Sequence, residues 1–231
     1  DRLIIFSGAG FSSESGIPTF QGPAGLWNDR DVNEICNIRN FIPNYNSVHI
    51  FYDEIRASLK DKMPHHGFEI IKSLSELYDP IFFTTNIDDL HEKAGFNAVH
   101  IHGNLKYIKC MSCGCVSDIG YLSKKEAIKN GLIKHNDNCT SEILKPDIMF
   151  YGEMYATYPG MALLKNTIRN IRKDDVVLTI GSSFDVVPFD YWLRHIRCHK
   201  YNINPVKKAG SHNDFRHWRN IMKPATEGLI V

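Results

Sequence analysis

Four stretches of this chain have residue types and spacings that could do chemistry. The first is Leu3-Ile4-Ile5-Phe6-Ser7-Gly8-Ala9-Gly10. An apolar run ending in Gly-x-Gly is a buried strand entering a turn where the backbone must come very close to something. In a nucleotide-binding sheet that something is a pyrophosphate, cradled by backbone N–H groups at a helix N-terminus. The ordinary dinucleotide fingerprint needs a third glycine where Ser13 stands, and an acid about twenty residues on after a second strand. Instead an irregular Gly/Pro-bearing stretch runs on to Leu26-Trp27. Dinucleotide binding and a plain strand–turn–helix both stay open on spacing alone.

The second stretch, Thr84-Thr85-Asn86-Ile87-Asp88, follows the apolar run Ile81–Phe83 and sits at a strand end. Asn86 can both donate and accept, which suits a carboxamide such as that of nicotinamide, and Asp88 can accept from an amide or place a water. The plainer reading is an Asx turn. The third is His102, which follows Ala98–Ile101 and precedes Gly103. An imidazole with a pKa of about 6.5 is a natural general base for a ribose hydroxyl. With eleven histidines in the chain, a surface or structural role is the ordinary expectation for any one of them. His100, two residues earlier on the same strand face, is the lesser candidate. The fourth is the cysteine cluster. Of six cysteines, Cys110, Cys113 and Cys115 fall within six residues, which suits a metal better than a disulfide framework. Cys110-x-x-Cys113 is half of a ribbon-type site, and tetrahedral zinc needs two more ligands. A second Cys-x-x-Cys is missing.

The elements that must position these residues follow an alternating pattern. Short β-rich runs at Leu3–Phe6, Ile81–Phe83, Ala98–Ile101, Ile148–Phe150, Val176–Ile180 and Lys200–Ile203 each end in a polar or glycine signature. Helical spacing links Val48, Phe51, Tyr52, Ile55 and Leu59, and again Phe68, Ile71, Leu74 and Leu77. A third helix carries Met161, Leu164, Ile168 and Ile171, with Thr157 as its N-cap and Arg169, Arg172 and Lys173 at its negative end. Strands alternating with helices predict an α/β fold, a Rossmann-like doubly wound parallel sheet covered on both faces. Ligands bind such sheets beyond the strands' carboxyl ends, where the strand order reverses. From about Lys109 to Lys145 the alternation fails, apart from a short helical pattern at Tyr121–Ile133, and a small inserted module is expected there. A second irregular stretch, about Leu26 to Ser47, is rich in Asn and leads into a small helical subdomain as a cofactor loop.

The chain has 231 residues, 43% hydrophobic and 23% charged, which is one large globular domain with room for an insertion. A formal charge of +1 gives no electrostatic case for nucleic acid or an anionic membrane as a partner. No apolar run approaches the roughly 20 residues that span a bilayer, and no secretory signal is evident. An intracellular, reducing, cytoplasmic setting is the expectation.

The opening stretch is more specific than its glycines. Gly8-Ala9-Gly10-x-Ser12-x-Glu14-Ser15-Gly16-Ile17-Pro18-x-Phe20-x-Gly22 closely resembles the opening motif of the sirtuins, the NAD-dependent protein-lysine deacylases. Further fragments follow in the family's order. Thr85-Asn86-Ile87-Asp88 resembles its Gln-Asn-Ile-Asp motif, and His102-Gly103, seven residues ahead of Cys110-x-x-Cys113, resembles the catalytic His-Gly and its zinc module. Leu144-Lys145-Pro146 is similar to a Leu-Arg-Pro run that follows the last zinc ligand. Tyr151-Gly152-Glu153 is similar to Phe-Gly-Glu, and Gly181-Ser182-Ser183-Phe184-x-Val186-x-Pro188 to Gly-Thr-Ser-Leu-x-Val-x-Pro. The resemblance covers nearly the whole chain. It is closest, through Thr19, to the bacterial and mitochondrial branch.

The resemblance implies a single catalytic domain over residues 1–231. Its NAD-binding core would be residues 1–30, 79–108 and 146–231, its helical and cofactor-loop segment 31–78, and its zinc module 109–145. It implies NAD contacts from Gly8, Ala9, Gly10, Ser12, Glu14, Thr19, Phe20, Gln21 and Trp27. Thr85, Asn86, Ile87 and Asp88 would surround the nicotinamide, and Gly181, Ser182, Ser183 and Asn204 would serve phosphate and ribose. One structural zinc is implied at Cys110, Cys113, His135 and Cys139, with Asp137 and Cys115 as alternatives to His135. Acyl-lysine proteins or peptides would lie against Tyr52, Tyr151, Gly152, Glu153 and Val186, the peptide pairing as an added strand. Phe20, Tyr151 and Val186 would wall an apolar tunnel. In the implied reaction the acyl oxygen attacks the anomeric carbon as nicotinamide leaves, Asn86 and Asp88 serve the nicotinamide pocket, and His102 takes a proton from a ribose hydroxyl. The products are free lysine and O-acyl-ADP-ribose.

Three positions depart from the family. Gln21 stands where an Arg is usual, and Thr85 where a Gln is usual. The branch that removes acidic acyl groups has Tyr-x-x-Arg on a helix, whereas here Ile55 follows Tyr52 at that spacing, with Arg56 next along. One residue is about 100° around a helix, so Arg56 is expected to point elsewhere and the acyl group to be neutral. An NAD hydrolase or ADP-ribosyltransferase of the same fold, or a non-catalytic acyl-lysine or NAD-binding module, are the alternatives.

Overall fold

Leu3–Ser7 forms β1, five consecutive buried residues at the centre of the main sheet. The structure, a computed structural model, describes residues 2–19, 25, 31–154, 158–206 and 218–230. After β1 come the short helices α1 (Ala9–Ser13) and α2 (Val32–Ile35), then α3 (Tyr45–Ser58) and α4 (His66–Ser75). The chain continues through β2 (Ile81–Thr84), α5 (Leu90–Lys93), β3 (Val99–His100), β4 (Gly103–Cys110), β5 (Val116–Asp118), α6 (Lys124–Lys129) and β6 (Leu144–Ile148). It ends through α7 (Pro159–Arg169), β7 (Val176–Ile180), α8 (Phe189–Trp192), β8 (His199–Ile203), β9 (Arg219–Ile221) and α9 (Ala225–Gly228).

The six-stranded sheet has the order β3-β2-β1-β7-β8-β9, and every neighbouring pair is parallel. Side chains of β1 alternate between two cores, as a strand covered on both faces requires. Ile4 and Phe6 pack with Phe83, Val177, Met161 and Leu164, which places α7 on one face. Leu3 and Ile5 pack with Phe11, Phe68, Ile71, Phe82 and Leu178, which places α4 on the other. The strand order reverses between β1 and β7. There the chain has gone outward to β3 and returns to build the other half, so a crevice must open at the carboxyl ends of those two strands.

Backbone meets backbone at that point. A Cβ on Gly8 would lie 2.7 Å from the Gly181 carbonyl oxygen, and one on Gly10 would lie 2.8 Å from the Gly181 Cα. Gly181 itself has φ +62, and a Cβ there would lie 2.2 Å from the Phe11 nitrogen. Only glycine fits these positions.

A second, three-stranded antiparallel sheet has the order β5-β4-β6. This corrects two expectations. The strand expected at Ile148–Phe150 in the main sheet is instead Leu144–Ile148, paired with β4 so that Ile148 faces Gly103 and Leu144 faces Cys110. The segment 109–145, expected to hold no strand, contributes the end of β4, all of β5 and the start of β6. The cause is charge within the strands. Lys106, Lys109, Lys145 and Asp147 interrupt the apolar pattern, yet Lys145 is buried because its ammonium meets the Glu153 carboxylate at 3.0 Å. The edge strand β9, Arg-Asn-Ile, is equally invisible to hydrophobic patterning.

The expected helices are present with shifted ends. α3 buries Val48, Phe51, Tyr52 and Ile55 as its spacing predicts, whereas α4 stops at Ser75 and leaves Leu77 exposed. α7 opens with Tyr158 at the cap and Pro159 in the first turn, where a missing N–H costs nothing. The expected cap Thr157 lies outside the described residues.

Replacing Gly181 by alanine should test the close contact. Gly131 also has positive φ, +67, and a Cβ there would meet nothing within 4 Å, so Gly131→Ala isolates the conformational cost at about 1–2 kcal/mol. Gly181→Ala should lose clearly more in urea unfolding, and equal losses would contradict the contact.

Candidate active site and metal centre

The crevice is a cavity of about 810 Å³ along the carboxyl edge of the main sheet, within the range of small-molecule and cofactor sites. It collects most of the residues singled out from the sequence. Gly8, Ala9, Gly10, Glu14, Thr19, Thr85, Asn86, Ile87, His102, Gly181, Ser182, Ser183 and Asn204 line it, together with Tyr52, Tyr151, Gly152, Glu153 and Val186. Ser12 and Asp88 line a small adjoining cavity with Ala9, Ile17, Pro18 and Asn86. Phe20, Gln21 and Trp27 lie outside the described residues.

The glycines act differently from the expected phosphate cradle. The Gly8 and Gly10 N–H groups donate to the Ile180 and Gly181 carbonyls, both at 2.9 Å. They provide clearance for a ligand and join the two halves of the sheet, and are not themselves the free donors. Asn204, on the loop after β8, donates from Nδ2 to the Ser182 carbonyl at 2.8 Å and so braces the neighbouring turn.

At the end of β2 the side chains form a buried relay. Asn86 Nδ2 donates to the Gly8 carbonyl at 3.1 Å and to Ser12 Oγ at 2.8 Å. The Ser12 hydroxyl donates to Asp88 Oδ2 at 2.7 Å, and the Leu90 N–H donates to Asp88 Oδ1 at 3.1 Å. Burial raises the Asp88 carboxyl above its ordinary pKa despite these donors. Asn86 Oδ1 is left buried with no hydrogen-bond partner among the described residues. An orphaned acceptor costs about 1–3 kcal/mol, and an amide N–H is the group that satisfies it. A nicotinamide carboxamide carries one. The glycine-cleared turn and this acceptor therefore fit NAD.

His102 sits in the turn between β3 and β4, half-buried at the cavity wall. Burial lowers its pKa to about 4, against the opposing hydrogen bond to the Thr85 main chain. The ring is therefore neutral at pH 7, as a general base must be. His100 is not among the lining residues. Its Nδ1 reaches the Asn86 carbonyl at 2.8 Å and its Nε2 the Glu92 carboxylate at 3.0 Å.

The cysteine cluster closes at the far end of β4. Cys110, Cys113, His135 and Cys139 bring one ligand atom each to within 4.8 Å of one another. Tetrahedral zinc with ~2.3 Å bonds sets sulfur atoms ~3.8 Å apart, and Cys110 Sγ lies 3.7 Å from Cys139 Sγ. Main-chain N–H groups of Asn136 and Cys115 hold the Cys113 thiol down to about 5, favouring the thiolate that zinc binds. Cys115 instead donates to Asn136 Oδ1 at 2.8 Å. The alternatives Cys115 and Asp137 are not part of the cluster. Four soft or imidazole ligands with no fifth group describe a closed structural zinc site.

The model of the Sir2 family matches residues 8–188. This chain belongs to the Sir2 family. It is 35% identical over 205 residues to the "NAD-dependent protein deacylase" of Helicobacter hepaticus, covering 80% of this chain and 76% of that protein. Among solved structures it resembles a Sir2 homologue mutant in complex with ADP-ribose, at TM-score 0.82 and 27% identity over 99% of this chain and 89% of that one. It also resembles a Sir2 homologue–NAD complex, at TM-score 0.79 and 27% identity over 99% and 86%.

The far wall of the cavity in this Sir2 chain adds Cys36, which sequence reasoning missed, to the expected Tyr52, Tyr151 and Glu153. Cys36 lines it beside Tyr52, and the tyrosine hydroxyl and cysteine thiol are hydrogen-bonded. Arg56 is fully buried and turned away, its Nε donating to the Leu105 carbonyl at 2.5 Å and Nη1 pairing with Asp53. The Tyr151 main chain already pairs with the segment after α2, its N–H donating to the Cys36 carbonyl and its carbonyl accepting from Ile38. Glu153 braces the wall, its Oε2 accepting from the Phe150 N–H at 2.6 Å and from Lys145 at 3.0 Å. Nothing in the sequence pattern marked Cys36, which lies in a polar stretch, or showed that Lys145 is buried against a partner eight residues on.

Metal analysis tests the ligand set. The purified chain should carry one zinc, Cys139→Ser and His135→Ala should lower its retention against a chelator, and Cys115→Ser should leave it unchanged. Loss on Cys115→Ser would contradict the assignment.

Proposed function

We propose that the protein is an NAD-dependent protein-lysine deacylase that releases nicotinamide, free lysine and O-acyl-ADP-ribose. The observation that supports this most is one cavity lined both by Asn86, whose buried Oδ1 has no partner among the described residues, and by a neutral His102. When bound, NAD supplies the electrophilic sugar carbon and the ribose hydroxyls to which an acyl group is passed. Asn86 Oδ1 would accept from the nicotinamide carboxamide, and Ser12 and Asp88 hold the Asn86 amide through its Nδ2. Gly8, Gly10 and Gly181 leave room for the pyrophosphate, and Ser182, Ser183 and Asn204 serve phosphate and ribose from the second half of the sheet. His102, with one nitrogen tied to the Thr85 main chain, takes the ribose proton on the other. Tyr52, Tyr151 and Val186 wall the acyl-lysine tunnel, and a substrate strand uses the 151–153 segment as its edge. Acylation matters physically, because only an acylated lysine enters an apolar channel uncharged.

The acyl group is neutral. The described lining carries Glu14, Glu153 and Asp185 and no lysine or arginine, and Arg56 is committed elsewhere. The domain division drawn from the sequence, a core of residues 1–30, 79–108 and 146–231 with a helical segment and zinc module, is retained as part of this proposal. So is cytoplasmic residence without nucleic-acid or membrane partners; no helix among the described residues is long and apolar enough to cross a membrane.

Nicotinamide release from NAD, with and without acetyl-lysine peptide, tests the reaction. Multiple-turnover release should need both the peptide and His102, and the turnover rate should fall by about 10²-fold or more on His102→Ala. Release without peptide would replace the deacylase with an NAD hydrolase. An acetyl peptide should exceed a succinyl peptide in kcat/KM by at least about tenfold, one unfavourable carboxylate contact being enough for that factor. The pH profile carries a further expectation. A base with an ordinary pKa of about 6.5 loses roughly three-quarters of its neutral form at pH 6. His102, lowered to about 4, stays neutral there, so kcat/KM should show no loss on going from pH 8 down to 6 and should fall only as the pH drops through about 4.

A further inference from the structure

We propose that His100 is a positioning residue for the nicotinamide end of the site, bridging the Asn86 carbonyl to the Glu92 carboxylate and fixing the turn that carries the Asn86 side chain. The inference rests on the NAD-dependent reading above.

The chain leaves the main sheet at Thr84, and the main-chain groups beyond it are held by partners from several elements. The Thr85 N–H donates to the Ser7 carbonyl on β1, and the Asn86 N–H to Thr84 Oγ1. The Ile87 carbonyl accepts from the Leu105 N–H on β4, and the Asp88 carbonyl from Asn104 Nδ2. The Asn86 carbonyl accepts from His100 Nδ1 at 2.8 Å. It belongs to the residue that lines the cavity and carries the orphaned Oδ1, and its partner is the one titratable donor of the set.

The donor arithmetic is strict. A carbonyl only accepts, so Nδ1 must carry a proton; an ionised carboxylate only accepts, so Nε2 at 3.0 Å from Glu92 must carry one too. Both bonds exist together in the imidazolium alone. The neutral ring keeps one donor, and Asn104 Nδ2, 3.4 Å from Nε2, then faces the bare nitrogen.

The carboxylates around the ring favour the charged form, against the Asn104 amide donor, which suits a bare Nε2. From α5 the ring faces Glu92 and His91, from the turn after β2 it faces Asp88, and from β4 it faces Asn104. Burial pulls the His100 pKa down, but the Glu92 bond and charge, the Asn86 carbonyl and Asp88 outweigh it and hold the pKa above its ordinary value. His91 adds no competing cation, because burial and the charge of His100 lower it to about 3. Two histidines two residues apart are thus driven in opposite directions, His102 to serve as base and His100 to serve as a cationic clamp.

Histidine NMR on the ligand-free protein tests the bridge itself. His100 should titrate above pH 6.5 with both ring nitrogens protonated below that, and Glu92→Gln should lower its pKa. A neutral His100 at pH 6, or no response to Glu92→Gln, would overturn the proposal whether or not NAD binds. Calorimetry tests its consequence. His100→Phe should weaken NAD binding by at least about tenfold, the value of one charge-assisted bond, while ADP-ribose, which lacks nicotinamide, changes less than about twofold. His100→Gln, which keeps one donor for the Asn86 carbonyl, should recover part of the loss. Equal weakening of both ligands, or no weakening of either, would contradict the positioning role. If His100→Phe does not fold, Glu92→Gln carries the same comparison. A wild-type protein that binds neither ligand would instead overturn the NAD reading and leave the NMR result to decide the bridge.

Discussion

Everything in this molecule depends on the contact of three glycines across the centre of the sheet. Gly8 and Gly10 follow β1 and Gly181 follows β7, and their backbones approach so closely that no side chain fits between them. The contact is hydrogen-bonded as well as tight, since the Gly8 and Gly10 N–H groups donate to the Ile180 and Gly181 carbonyls and Gly181 donates to Ile203. Two halves of a parallel sheet, separated in sequence by about 170 residues, are locked where their order reverses. The crevice is a consequence of that lock. Its floor is bare backbone that a large ligand can lie on, and its chemistry comes from side chains that reach in from either side.

The second sheet positions the opposite wall. Its strand β6 meets α3 through the Tyr45 hydroxyl, which accepts from the Leu144 N–H, and through His49, which bonds the Leu144 carbonyl. Asp53 and Arg56 tie the same helix to Lys124, Leu105 and Leu122. Tyr52, between those contacts, is thereby held against the cavity. Lys145 reaches the other way, to Glu153, and sets the Phe150–Glu153 segment. The cysteine–histidine cluster sits at the far end of β4 from His102. Zinc there is architecture: it closes the end of a sheet whose other end faces the reaction.

Much of this is legible in the sequence because the residues concerned obey local rules. Leu3–Phe6 reads as a buried strand from its apolar run, and Gly8 and Gly10 read as close approach because no other residue tolerates it. The order Asn86, His102, Cys110 and Gly181 points to the family, and those positions gather at one edge or one cluster as expected. What sequence does not show is where long-range pairing overrides local pattern. Lys145 looks like a surface residue until Glu153 is seen beside it, so hydrophobic patterning places β6 too late in the chain and in the wrong sheet. Arg219-Asn220-Ile221 has no apolar pattern to announce an edge strand. His100 and His102 can be ranked by position, but their opposite protonation follows from Glu92 and Asp88 near one and burial around the other. The phosphate role expected of the Gly8 and Gly10 donors also depends on the partner strand, because only the structure shows those N–H groups already engaged.

A crystal structure of the protein with NAD and an acetyl-lysine peptide measures the central claim most directly. The pyrophosphate should lie over the Gly8–Gly10 and Gly181 turns, the nicotinamide carboxamide N–H should meet Asn86 Oδ1, and the free nitrogen of His102 should face a ribose hydroxyl. A nicotinamide ring bound away from Asn86, or a dinucleotide lying outside the switch-point crevice, would contradict it.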